Sequence, residues 1–197
     1  MPEPATHTAF HDATRIAGGS LAVVALAVRA VLAADPAAAV LVFDDMTGKV
    51  VDLDLRGDEA EIAVRYAPRT DKAAPATDDT PRGRGRPKLG VVAREVTLLP
   101  RHWDWLALQP GGASQALRRL VDDARRSDGG RSRARAAQER AYAFIATMAG
   151  DRDGFEEASR ALFAGDNERF AAHSRTWPQD IRVHAEKLLV GSSVTSG

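Results

Sequence analysis

The sequence predicts an α+β fold: a small N-terminal α/β unit with a β-hairpin, a basic linker, a short strand plus two helices, and a C-terminal helical segment. Three observations point there. Up to residue 67, short apolar and alternating runs such as Val40–Phe43 and Val51, Leu53, Leu55 read as strands around one apolar helix. From Pro68 to Gly90 the apolar period vanishes and Pro, Gly, Asp, Thr and Arg dominate, which marks a linker. Beyond residue 100, apolar residues recur at helical spacing between Gly and Pro stops. The boundaries expected are 1–67, a flexible basic linker at 68–92, strand–helix–helix at 93–127, helices at 133–190, and a polar tail at 191–197.

Taken in order, Thr8–Phe10 and Arg15–Ala17 are short strands about the polar turn His11–Thr14. Gly18-Gly19 breaks the pattern and Ser20 sits where an N-cap belongs. Leu21–Ala34 is apolar nearly all round, so it is expected as a helix buried on a sheet and ended by Asp35-Pro36. Val40–Phe43 is a continuous apolar strand, Asp45–Gly48 a turn, and Lys49–Leu55 the second arm of a hairpin with one face in and one face out. Glu59–Tyr66 reads as a short helix after Gly57.

After the linker, Glu95–Leu99 is a β-type run stopped by Pro100, which then opens a helix over Arg101–Leu108. Pro110-Gly111-Gly112 ends that helix, and Ser114 is expected to cap a second one running to about Arg126 with the stripe Leu117, Leu120, Val121, Ala124. Ser127–Ser132 reads as loose chain. The remainder is helical over Ala134–Met148, Phe155–Ala164, Asn167–Thr176 and Asp180–Leu189.

A length of 197 residues suffices for a buried core, and 44% hydrophobic with 27% charged residues is ordinary globular composition. The absence of cysteine excludes disulfides, thiolate zinc sites and thiol nucleophiles, and fits a reducing cytosol, so a cytoplasmic location is expected. Leu21–Ala34 lacks a preceding basic region, contains Arg29 and is too short to span a bilayer, so neither a signal peptide nor a membrane partner is expected.

The zero net charge hides a strong asymmetry. Residues 1–81 hold 13 acidic and 7 basic side chains, a net −6. Residues 82–140 hold 14 basic and 6 acidic, a net +8, and residues 141–197 hold 8 acidic and 6 basic, a net −2. Segregated positive charge is what a polyanion requires, although a solvated helix face looks similar.

Two segments carry that charge. Arg82-Gly83-Arg84-Gly85-Arg86-Pro87-Lys88 resembles an AT-hook: arginine is drawn to the negative potential of a narrow A·T minor groove, and glycine keeps the backbone thin enough to lie there. A soluble basic linker is the competing reading. The stretch Arg94–Arg126 resembles a ribbon-helix-helix module, in which strands from two chains enter the major groove as a ribbon. That resemblance implies a homodimer, with Arg94 and Thr97 on the ribbon and the amides near Ser114 with Arg118 and Arg119 positioning phosphates. Neither strand register is comfortable: one exposes Glu95 with Thr97, the other exposes Val96 and Leu98 with Arg94. An ordinary strand and helical hairpin fits the same residues.

Trp103 and Trp105 lie two apart on one helix and point different ways, one into the core and the other against a dimer partner or the C-terminal helices, with base stacking as the less favoured alternative. His102, His173 and His184 lack ligand spacing and read as solvated or hydrogen-bonded structural histidines. Asp44, Asp45, Asp52 and Asp54 can hold a divalent cation, but a turn and the solvent face of a strand also explain them. No phosphate loop, dinucleotide fingerprint or nucleophile elbow is present, so no enzyme activity, cofactor or metal is expected.

The stretches VLVFDDMTGKVVDLDLRG (Val40–Gly57), RGRPKLGVVAREVTLLPRHWDWLALQPGGASQALRRLVDDARR (Arg84–Arg126) and AGDRDGFEEASRALFAGDNERF (Ala149–Phe170) together resemble a bacterial family designated domain of unknown function 2239. The resemblance runs from about Thr8 to Leu189; it implies one shared architecture and transfers no catalytic residue. The functional expectation is a DNA-binding protein with a transcription-regulatory role, acting through its basic middle; a protein–protein interaction module without nucleic-acid activity is the alternative.

Overall fold

The computed structural model describes residues 7–67 and 94–190. Three strands and eight helices are formed among them, an α+β fold. The chain divides into two units: the described residues of 1–69 and 131–197 form the first, those of 70–130 the second.

In the first unit, β1 (His7–His11) is the middle strand of an antiparallel sheet, flanked by β2 (Thr14–Gly19) and β3 (Val40–Asp44). Alternation sorts the side chains to two faces. Ala9 and Val42 meet Val24 and Val28 of α1 (Leu21–Ala34), with Leu53 and Leu55 at the margin. Phe10 and Phe43 point the other way, into the helices α5 (Arg131–Ala149), α6 (Phe155–Ala164), α7 (Asn167–His173) and α8 (Gln179–Val190). A thin sheet is thus covered on both faces, and the N-terminal and C-terminal thirds of the chain share one core.

Local signals set most element ends. Ser20 accepts a hydrogen bond from the Val23 amide, 3.4 Å away, and so caps α1; the helix stops before Asp35-Pro36. Its burial is narrower than its composition suggests: Val24, Ala25 and Val28 are buried while Val23 is 55% exposed. Asp58 and Glu61 form a reciprocal capping box at the start of α2 (Glu59–Arg65). Gly165, in the left-handed region, closes α6. Helix α5 starts at Arg131, so Ser127–Ser132, expected as loose, is mostly helical apart from the Gly129-Gly130 turn. Helix α7 ends at His173, short of Thr176, where the buried Ser174 hydroxyl donates to the Phe170 carbonyl at 2.8 Å.

The hairpin arm expected over Lys49–Leu55 is corrected. The turn forms, and the Asp44 amide bonds the Lys49 carbonyl while the Val51 amide bonds the Val42 carbonyl, but the ladder ends there. Side chains from α2 and its C-cap take the place of a further strand. The Tyr66 hydroxyl accepts from the Asp54 amide at 2.6 Å, and Arg65 Nη1 donates to the carbonyls of Asp54 and Arg56, each at 2.8 Å. These bonds satisfy the Asp54 amide and carbonyl without strand pairing, and Leu53 and Leu55 still reach the core. Gly48, at φ +69°, lies against the Arg140 carbonyl of α5 with no room for a Cβ, so the turn tolerates only glycine.

The second unit contains α3 (Pro100–Ala107) and α4 (Gly112–Asp128). Pro100 occupies the first turn of α3. Leu106 and Ala116 are the buried apolar side chains here, at 2% and 1% exposure.

Candidate nucleic-acid interface

Arg82, Arg84, Arg86 and Lys88 lie outside the described residues, as does the whole of the 68–92 linker. Arg94 and Thr97 are exposed on a segment, 94–99, that forms no strand. This corrects the expected strand at Glu95–Leu99. β-type residues become a strand only against a neighbouring strand, and among the described residues none pairs with them.

Ser114 is likewise corrected. Gly111, in the left-handed conformation, precedes α4, and Ser114 lies inside its first turn without a side-chain capping bond. Its carbonyl accepts from Arg118 Nε at 3.2 Å, so the structure does bring Ser114 and Arg118 together. Arg119 reaches the turn that follows α3: its Nη2 lies 3.5 Å from Gln109 Oε1, and Gln109 Nε2 donates to the Trp105 carbonyl at 3.3 Å. Arg125 and Arg126, outside the set expected from sequence, are exposed in the last turn of α4, where Arg126 pairs with Asp123. Basic groups at a helix C-terminus suit its dipole, so their placement has a local cause besides any ligand. Helix α4 carries four arginines against three aspartates, so the strong positive excess of residues 82–140 sits chiefly in 82–88 and 131–140.

The tryptophans differ from expectation. Neither Trp103 nor Trp105 enters the core; they are 42% and 47% exposed, and Leu106 is the buried residue of α3. The stripe Leu117, Leu120, Val121, Ala124 is also largely uncovered, with Leu120 and Val121 at 42% and 55% exposure. Ala116, one position away, takes the buried place.

The four aspartates near the hairpin go to separate partners. Asp44 organises the turn, accepting from the Met46 amide at 2.7 Å and the Thr47 hydroxyl at 3.2 Å. Asp52 is exposed. Arg56 binds both oxygens of Asp54, at 2.8 and 2.9 Å, and these bonds, with Arg65 nearby, hold its carboxyl well below the usual carboxylate range. Asp45 is buried. Its Oδ2 accepts from Lys187 Nζ at 2.8 Å, and its Oδ1 lies 3.5 Å from Nε2 of the buried His184. Sequence reading missed this cluster because its members are 142 residues apart and share no motif. Among the described residues no three metal-ligating side chains gather at one point, and no described helix is long and apolar enough to cross a membrane.

No curated protein and no solved structure matches the chain. A family model does, over residues 6–189, which is nearly the whole sequence and spans both units. The chain belongs to the bacterial family DUF2239, described as an uncharacterized protein conserved in bacteria.

Proposed function

We propose that this chain binds DNA through its basic middle segment, residues 82–140, and acts as a transcription regulator. The observation that carries the reading is the charge segregation: a net +8 in that segment, between flanks of −6 and −2. Segregated positive charge of this kind is what a polyanion partner requires. The exposed side chains of Arg94, Arg101, Arg118, Arg119, Arg125 and Arg126 support it, and so does the Arg84-Gly85-Arg86-Pro87 sequence.

The test is a gel-shift assay over a salt series with the full chain. Retardation at low salt is expected. If about four phosphates are neutralised, affinity falls roughly 10²-fold between 50 and 200 mM salt through counterion release. Replacing Arg84 and Arg86 with alanine should flatten that slope by about two charges. A chain that leaves DNA unshifted at 50 mM salt overturns the reading.

A second reading rests on the uncovered stripe of α4. Among its described residues the second unit buries little beyond Leu106 and Ala116, and it gains by covering Leu117, Leu120 and Val121; a second copy of this chain is the occupant we propose. Sedimentation should then show a nuclease-resistant dimer that Leu120→Asp converts to monomer. A wild-type monomer at every concentration removes this reading and leaves DNA binding standing.

A further inference from the structure

Within the DNA-binding reading, on which this step rests, the α3–α4 surface says which form of DNA it suits. Arg101 and Trp105 are one helical turn apart, about 6 Å along α3, and so share a side. Gln109 follows just past the helix end and ties Trp105 to α4: its side chain donates to the Trp105 carbonyl and accepts from Arg119. Arg126 stands two turns beyond Arg119 on the same lane of α4, where it pairs with Asp123. The indole is 47% exposed, with the exposed Arg101 one turn before it on α3 and Arg119 linked to its backbone carbonyl through Gln109. It makes no ring contact among the described residues, whereas Trp177 packs edge-on against Phe170.

We infer that the surface formed by Arg101, Trp105, Gln109 and Arg119 is a stacking site for an unpaired base, so that the favoured ligand is single-stranded DNA. A duplex offers base edges in its grooves, and an indole has neither the donors nor the acceptors to read them. A single strand offers base faces, on which an aromatic ring stacks whatever the sequence, with arginines alongside to neutralise the backbone. Trp103 provides the comparison. It lies about 200° round the helix from Trp105, one turn after the exposed Leu99.

The experiment is a fluorescence-anisotropy titration of the full chain with one mixed-sequence oligonucleotide, single-stranded and as its duplex, at the same low salt. The single strand is expected to bind about tenfold or more tighter. Trp105→Ala should weaken it by about 5- to 150-fold, the range that one lost stacking contact corresponds to. Trp105→Phe should recover most of that loss because a ring is restored, and Trp103→Ala should bind as wild type. Circular dichroism of each variant shows whether the helices persist. Duplex preferred over single strand, or Trp105→Ala binding as tightly as wild type, overturns this inference while DNA binding itself stands. Absence of binding to both forms overturns it together with the reading beneath it.

Discussion

Replacing Phe144 with alanine is expected to cost about 3–5 kcal/mol of folding stability, the largest single effect in the chain. Phe144 is fully buried, with its ring centroid 5.4 Å from that of Phe10, 4.8 Å from Phe43 and 4.6 Å from His184. These partners come from β1, β3 and α8, while Phe144 itself belongs to α5. One side chain therefore joins the N-terminal sheet to the C-terminal helices. Truncation removes its transfer energy and leaves a cavity that the neighbouring rings cannot all collapse into. It also removes the ring that packs against the buried His184. Urea denaturation at neutral pH should show a lower midpoint with an unchanged slope. Phe163→Ala is the control, because that ring is 50% exposed and should cost far less. A loss below about 1 kcal/mol at Phe144 would show that the aromatic cluster is not the packing centre.

Much of the fold was legible wherever the signal is local. Ser20, Asp35-Pro36, Pro100 and Gly165 end or begin helices for reasons carried within a few residues, and the apolar sets of α5, α6 and α8 sit at helical spacing. The misreadings arose where a partner distant in sequence decides. Lys49–Leu55 does alternate, but the groups that satisfy its backbone are Arg65 and Tyr66. Glu95–Leu99 has strand composition and no strand to pair with among the described residues. The α4 stripe has the amphipathic period, yet period names a face and not what covers it. Of the candidate site, the arginines of α4 were visible as charge, whereas the link from Arg119 through Gln109 to Trp105 needed the turn between α3 and α4. The Asp45–Lys187 pair and its neighbour His184 had no sequence signature at all.

That buried cluster yields the second large prediction: stability should fall on acidification through a proton on His184. Burial is the main cause that pushes its imidazole down, to about 4 from the ordinary 6.5. Asp45 opposes the change, and Lys187 and Arg15 add to it. Phe10 and Phe144, edge-on to the imidazole, offer nothing to solvate a charge. The unfolded chain takes up this proton near pH 6.5 and the folded chain only near pH 4, so between those values the unfolded state holds more protons. The contribution is intact above pH 6.5 and is lost as the pH falls towards 4. Its size is at most about 3 kcal/mol, since each tenfold difference in proton affinity between the two states is worth about 1.4 kcal/mol. The lowered Asp54 carboxyl also favours the folded state less in acid, so the informative quantity is a difference between proteins. His184→Phe fits an aromatic pocket and cannot titrate; His184→Gln keeps a polar side chain and cannot titrate either. Stability measured by urea denaturation at pH 7 and at pH 4.5 should drop less in both variants than in wild type, by about 2–3 kcal/mol. Equal drops in all three would mean that His184 binds its proton equally well in the folded and unfolded states. The attraction of Asp45, 3.5 Å away, would then offset the cost of burial.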